Sequence, residues 1–133
     1  MSKSRKRILI IDDDEAMCEE LGEILKGEGF LVDSVYNGYD AKNILQQDIH
    51  DLVLLDMKLP GILGTEIIKT AKEMGSGAKI LVMSGSDFVT RFKEDKQAAV
   101  EEGTEKLLWL ADGVISKPFQ VEDILNKVRE LLQ

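Results

Sequence analysis

Residues 8–14 read ILIIDDD, four consecutive aliphatic residues followed by three aspartates. A short aliphatic run without polar alternation is typical of a strand that is buried on both faces of a parallel sheet. Four further runs of strand length follow along the chain: FLVDSV at 30–35, LVLL at 52–55, KILVMS at 79–84 and GVI at 113–115. The sequence therefore predicts five strands, each buried on both faces.

The segments between these runs carry apolar residues at helical spacing, as Met17, Leu21, Ile24 and Leu25 do after the first run. Regular alternation of strands and helices with short connections predicts an α/β fold, a doubly wound parallel sheet of five strands with helices on both faces. In such a sheet, ligands bind beyond the carboxyl ends of the strands. The chemistry of this chain is therefore expected at that edge.

One connection is longer than the others. Residues 87–112 separate the fourth and fifth strands, and Gly103 interrupts their helical pattern, so we expect an enlarged crossover of two helical pieces, at 88–102 and 104–111. Four consecutive apolar residues at 107–110 are more than one helical stripe can bury. Two interpretations of them stay open: an exposed interface, or an extra helix packed on the domain.

The composition restricts the function. The chain has 25 acidic and 17 basic residues and a net charge of -8, which disfavours direct binding to the phosphate backbone of nucleic acid. Residues 1–6 are interpreted as a basic, solvent-exposed flank ahead of one domain at 7–133. No apolar stretch approaches the roughly 20 residues of a membrane span, and a single cysteine, Cys18, fits a reducing compartment. We expect a soluble, cytoplasmic domain without membrane partners and without a separate output domain.

Polar residues follow or end four of the five predicted strands. They are Asp12, Asp13 and Asp14 after the first strand, Asp56 at the end of the third, Ser84 at the end of the fourth and Lys117 after the fifth. Clustered carboxylates repel one another unless a cation neutralises them, and hard oxygen ligands favour Mg2+. Asp14 has an alternative role as the N-cap of the first helix. The sequence therefore predicts a divalent metal site at this edge of the sheet.

A carboxylate beside such a metal can attack phosphorus, because Mg2+ and a fixed ammonium group offset the charge that develops on the transferring oxygens. Asp56, Lys117 and Ser84 supply a nucleophile, an ammonium group and a hydroxyl. Each of these residues alone has an ordinary structural explanation. Their joint placement at strand ends, in this order, favours a phosphoacceptor site.

Four motifs together resemble the receiver domains of two-component response regulators, similar to single-domain chemotaxis-type members: ILIIDDDEAM, DLVLLDMKLPG, ILVMSGSD and GVISKPF. The resemblance covers nearly the whole chain. It implies a flavodoxin-like sheet of strand order 2-1-3-4-5. It also implies Asp56 as phosphoacceptor, with Asp13, Asp56 and the Lys58 carbonyl as ligands of Mg2+ and with Asp12 binding the metal through water.

The same resemblance implies that Ser84 and Lys117 each bind a phosphoryl oxygen, and that the bond before Pro118 is cis. It implies self-catalysed transfer from the phosphohistidine of a sensor histidine kinase, or of a histidine phosphotransfer protein, rather than an enzyme acting on other substrates. An unidentified downstream protein would bind through the 88–111 region.

Two alternatives compete with this interpretation. One is a pseudo-receiver, an interaction module of the same fold that is not phosphorylated; Val114 stands where many receivers carry a switching aromatic, which favours this alternative. The other is a phosphatase similar to the haloacid dehalogenase superfamily, with Asp12 as nucleophile and Asp14 as acid. His50, the single histidine, is interpreted as a surface or cap residue.

Overall fold

The structure, a computed structural model, describes residues 5–57, 64–85 and 111–133. Five strands form one sheet in these ranges: β1 (Arg7–Ile11), β2 (Leu31–Val35), β3 (Leu52–Asp56), β4 (Lys79–Gly85) and β5 (Gly113–Lys117). Every neighbouring pair is parallel, and the strand order is β2-β1-β3-β4-β5. The predicted doubly wound, flavodoxin-like sheet is confirmed.

Four helices lie in the described part of the chain: α1 (Glu15–Gly27), α2 (Gly38–Leu45), α3 (Gly64–Glu73) and α4 (Val121–Leu131). The sheet separates the core into two layers, one on each face. One cluster of buried residues joins the sheet to α1 and α4, and a second joins it to α2 and α3. The two helical pieces predicted at 88–102 and 104–111 fall outside the described residues, apart from Ala111.

The predicted burial of every strand on both faces holds for the centre of the sheet and is wrong for both edge strands, β2 and β5; in β5 only Ile115 is buried. All five residues of β3 are buried. None of the five residues of β2 is buried, and Leu31 is 40% exposed. The physical reason is that β2 is an edge strand, and its central Asp33 and Ser34 are polar residues that a doubly covered strand does not carry.

Both ends of α1 have residues suited to ending a helix. The Asp14 side chain accepts a hydrogen bond from the Met17 amide at 3.0 Å, so Asp14 is the N-cap of the helix. Beyond the other end, Gly29 has a φ of 99°, in the left-handed region that favours glycine. The capping interpretation of Asp14 is confirmed.

The interpretation of His50 as a surface residue is wrong. Its side chain is only 2% exposed, and its Nε2 lies 2.7 Å from Asp33 Oδ2. Arg7 donates to both oxygens of the same carboxylate, at 2.8 Å and 3.3 Å. The pKa of Asp33 is held below its usual range, mainly by the hydrogen bond from Arg7. Burial raises this pKa, and the hydrogen bond with His50 lowers it further. Because the Asp33 carboxylate is ionised and can only accept, His50 Nε2 carries the proton of their hydrogen bond.

None of the helices in the described ranges combines the length and the apolar character that crossing a bilayer requires.

Candidate functional site

The carboxyl ends of four strands bring the predicted site residues together. Asp12 follows β1, Asp56 ends β3, Ser84 lies in β4 and Lys117 ends β5. The parallel register aligns Asp56 with Met83 and Lys117 with Gly85, on either side of Ser84. The functional site was predicted at this edge of the sheet. A hydrogen bond there between Asp12 and Lys117, which are 105 positions apart in sequence, supports that prediction.

Three carboxylates form the acidic part of the site. Asp12, Asp13 and Asp56 each place a carboxylate oxygen within 4.8 Å of the others. Asp12 is completely buried, Asp56 is 6% exposed, and Asp13 is open to solvent. Close carboxylates of one charge favour a cation between them, and an all-oxygen donor set with one solvent-facing member suits a hard divalent ion that keeps some of its water. The cluster is compatible with Mg2+.

Lys117 supplies the positive charge of the site. Its ammonium group donates a hydrogen bond to Asp12 Oδ2 and lies 3.8 Å from Asp56 Oδ2. Burial lowers the pKa of Lys117, but the Asp12 hydrogen bond and the charges of Asp12, Asp56 and Asp13 outweigh it, so the pKa is raised. Lys117 is therefore a permanent cation between two of the carboxylates.

The pairing of Lys117 with Asp12 was not predicted from the sequence, which assigned Lys117 only to a phosphoryl oxygen. Asp12 makes two further hydrogen bonds. Its amide donates to the Val35 carbonyl at 3.1 Å, and its Oδ1 accepts from the Asp14 amide at 3.0 Å. The first bond anchors the loop between β1 and α1 to β2, and the second lies within that loop. Hydrogen bonds from its amide, its Oδ1 and its Oδ2 therefore hold Asp12 in place in the site.

Cys18 is a further residue of this region that the chemical motifs did not point to. It is completely buried, as expected for a small apolar side chain, and its thiol lies 3.4 Å from the Asp12 carbonyl. Burial, with the charges of Asp12 and Asp14 adding to it, raises the pKa of Cys18 to about 12. The group is a thiol at neutral pH and donates to that carbonyl. Its position four residues after Asp14, in the first turn of α1, is the sequence feature that could have predicted its contact with this loop.

Ser84 brings a hydroxyl into the same edge. It is 2% exposed, and its Oγ has no hydrogen-bond partner among residues 5–57, 64–85 and 111–133. A buried hydroxyl without a partner costs about 1–3 kcal/mol, so it gains from any acceptor oxygen that reaches it. This property suits a group that binds a transferred oxyanion.

Other predicted features have mixed outcomes. The bond between Lys117 and Pro118 is cis, as the resemblance implied. Val114 is partly buried against the cluster beneath α2 and α3, so it packs in the core. Lys58 and residues 88–110 lie outside the described residues, and their predicted roles stay predictions.

Comparison with known proteins gives the family. A family model described as the response regulator receiver domain matches residues 8–129. The response regulator MprA of Mycobacterium avium is 31% identical over 127 residues, which are 96% of this chain and 51% of the relative. MprA of Mycolicibacterium vanbaalenii is 32% identical, with coverage of 96% and 50%. The chain spans about half the length of the curated relatives it matches.

Two solved structures agree with this match. The CheY-like response regulator receiver domain protein of Methanospirillum hungatei superposes with a TM-score of 0.78 at 29% identity, covering 97% of this chain and 94% of that one. The response regulator TrrA of Thermotoga maritima, solved in complex with Mg(2+)-BeF, gives 0.76 at 30% identity, with coverage of 96% and 99%. With the sheet order and the acidic edge already described, the chain belongs to the response regulator receiver domain family of two-component systems.

Proposed function

We propose that this chain accepts one phosphoryl group on Asp56, in a Mg2+-dependent reaction, from the phosphohistidine of a sensor histidine kinase or a histidine phosphotransfer protein. The observation that carries the proposal is the position of Asp56, at the end of a fully buried strand, with an ammonium group 3.8 Å from its carboxylate and two further carboxylates within 4.8 Å. Receiver domains are phosphoacceptors, and response regulators interact with histidine kinases and downstream effectors.

The residues of the acidic cluster fit a bound Mg2+. Asp13 and Asp56 would be its direct ligands together with the Lys58 carbonyl, and Asp12 would bind through water. A bound ion would neutralise the charge of the carboxylates and the charge that develops on the transferring oxygens. The donor chemistry supports this assignment, because every ligand is a hard oxygen and Asp13 is solvent-exposed.

In the proposed transfer, an Asp56 carboxylate oxygen forms a bond to phosphorus while the bond from phosphorus to the donor imidazole nitrogen breaks. The imidazole keeps the electron pair of that bond, and Asp56 becomes an acyl phosphate. Lys117 donates to one phosphoryl oxygen, and Ser84 Oγ donates to another. The raised pKa of Lys117 supports the first role, and the buried, unpartnered Ser84 hydroxyl of the described chain supports the second.

The remaining parts of the proposal concern context. Residues 7–133 form the receiver domain and residues 1–6 a basic flank. The 88–111 region binds a downstream protein, neither nucleic acid nor membrane is a direct partner, and the protein acts in the cytoplasm. The net charge of -8 supports the exclusion of nucleic acid.

Incubation with a small-molecule phosphodonor and Mg2+, followed by intact mass, tests the proposal. We expect one phosphoryl group on the unmodified chain and none after Asp56→Asn substitution or with a chelator. Asp123→Asn is the matched control, because it removes an exposed aspartate of α4. A folded protein that gains no phosphoryl group under any condition contradicts the proposal and favours the phosphorylation-independent module.

A further inference from the structure

Gly64, the first residue of α3, makes an unusually close approach to the chain that carries Asp56. A Cβ atom added to Gly64 would lie 2.8 Å from Met57 Sδ, 3.2 Å from Met57 Cε and 3.1 Å from Met57 Cα. The φ angle of Gly64 is outside the left-handed region, so backbone conformation does not require glycine there. The preference for glycine is steric: an added Cβ would displace the end of the Met57 side chain and would crowd the Met57 backbone.

Met57 cannot move away freely. Its amide donates to the Met83 carbonyl of β4 at 3.3 Å, and its side chain packs on the buried cluster beneath α2 and α3. Met57 directly follows Asp56, whose carboxylate lies 3.8 Å from the Lys117 ammonium group. A displacement of the Met57 backbone is therefore transmitted to the Asp56 carboxylate.

We infer that Gly64 is a positioning residue for the acceptor: the start of α3 bears directly on Met57 and holds Asp56 in its place in the acidic cluster. The inference rests on the proposed function. A side-chain carbon placed 3.1 Å from the Met57 backbone forces that backbone to shift by a few tenths of an ångström. Positioning errors near 1 Å cost about 100-fold in rate, so a shift of this size is expected to cost about 3- to 10-fold.

The test is the rate of phosphorylation by a small-molecule phosphodonor at saturating Mg2+, measured across donor concentrations together with the thermal unfolding midpoint. We expect Gly64→Ala to lower the maximal rate about 3- to 10-fold, with little change in half-saturating donor concentration. The unfolding midpoint should not fall in proportion, because alanine favours the helix. A merely structural defect would instead lower rate and midpoint together.

Gly27→Ala is the matched control. Gly27 is also a helical glycine, and an added Cβ there meets nothing within 4 Å. We expect its rate to equal that of the unmodified protein. The double variant Met57→Ala, Gly64→Ala removes Sδ and Cε of Met57 but keeps the 3.1 Å contact with Met57 Cα, so it should stay slower than Met57→Ala alone. This comparison carries the test if Gly64→Ala does not fold.

An unchanged rate for Gly64→Ala, or a double variant as fast as Met57→Ala alone, overturns the inference. These failures differ from failure of the proposed function, in which the unmodified protein itself gains no phosphoryl group.

Discussion

Lys117→Met tests the electrostatic balance of the site. The substitution keeps most of the aliphatic chain and removes the ammonium group that neutralises the completely buried Asp12. Removing one partner of a buried ion pair costs about 3–5 kcal/mol. Because the Lys117 side chain is 29% exposed, water offsets part of this cost, and we expect a loss of about 2–3 kcal/mol in metal-free unfolding free energy.

Mg2+ should reverse part of that loss. In the unmodified protein a bound metal would share the carboxylates with the Lys117 ammonium group, whereas in the variant the metal would be their main counter-ion. A free Mg2+ concentration of about 100 times Kd stabilises a folded protein by about 2.7 kcal/mol. We expect the gain in the variant to exceed that of the unmodified protein by about 1 kcal/mol at equal Mg2+, corresponding to roughly fivefold tighter binding.

The assay is denaturant unfolding with excess chelator and across a Mg2+ titration. Lys72→Met is the matched control, because Lys72 is 30% exposed and pairs at 3.7 Å with Asp112, which is itself 25% exposed. We expect the control to lose no more than about 1 kcal/mol and to respond to Mg2+ as the unmodified protein does. A Lys117→Met variant as stable as the unmodified protein without metal, or one that gains no extra stability from Mg2+, would refute the reasoning.

Three further predictions follow from the described contacts. Asp14→Ala should cost about 1 kcal/mol in unfolding free energy through loss of the α1 N-cap, with Mg2+ affinity within twofold of the unmodified protein; a large loss of affinity would show that Asp14 is a ligand. Cys18 should resist thiol reagents at pH 7 in the native state and react on unfolding, because it is buried and its pKa is raised to about 12; rapid native-state labelling would contradict this. The lowered pKa of Asp33 means that its carboxylate stabilises the fold fully above its unfolded pKa of about 3.9 and loses that effect as pH falls through the lower folded pKa. The difference in unfolding free energy between the unmodified protein and Asp33→Asn should therefore be constant above about pH 5 and shrink in acid, and a constant difference down to pH 2 would contradict the assignment.

Much of the fold could be predicted from sequence because the central strands carry a strong signal. LVLL at 52–55 is aliphatic throughout, and the structure buries all of β3. The edge strand β2 is predicted less well, because the apolar residues around Asp33 and Ser34 resemble a buried run although these two central residues are polar. A strand's place in the sheet order, centre or edge, decides how many of its faces are covered.

The site residues could be predicted as a group because parallel strands end at one edge. Their pairings could not. The bond from Lys117 to Asp12 joins residues 105 positions apart, and the burial of His50 depends on Asp33, 17 positions away. The approach of Gly64 to Met57 likewise depends on where α3 begins in space. Contacts of this kind follow from packing, which local pattern does not encode.

The most direct test of the central claim is to locate the phosphoryl group. Protein treated with a phosphodonor and Mg2+ is reduced with borohydride, which converts an aspartyl phosphate to homoserine, and is then digested and fragmented by mass spectrometry. We predict homoserine at position 56 only, and none when Mg2+ is chelated. Homoserine at position 12 with none at position 56 would contradict the account and favour the phosphatase alternative.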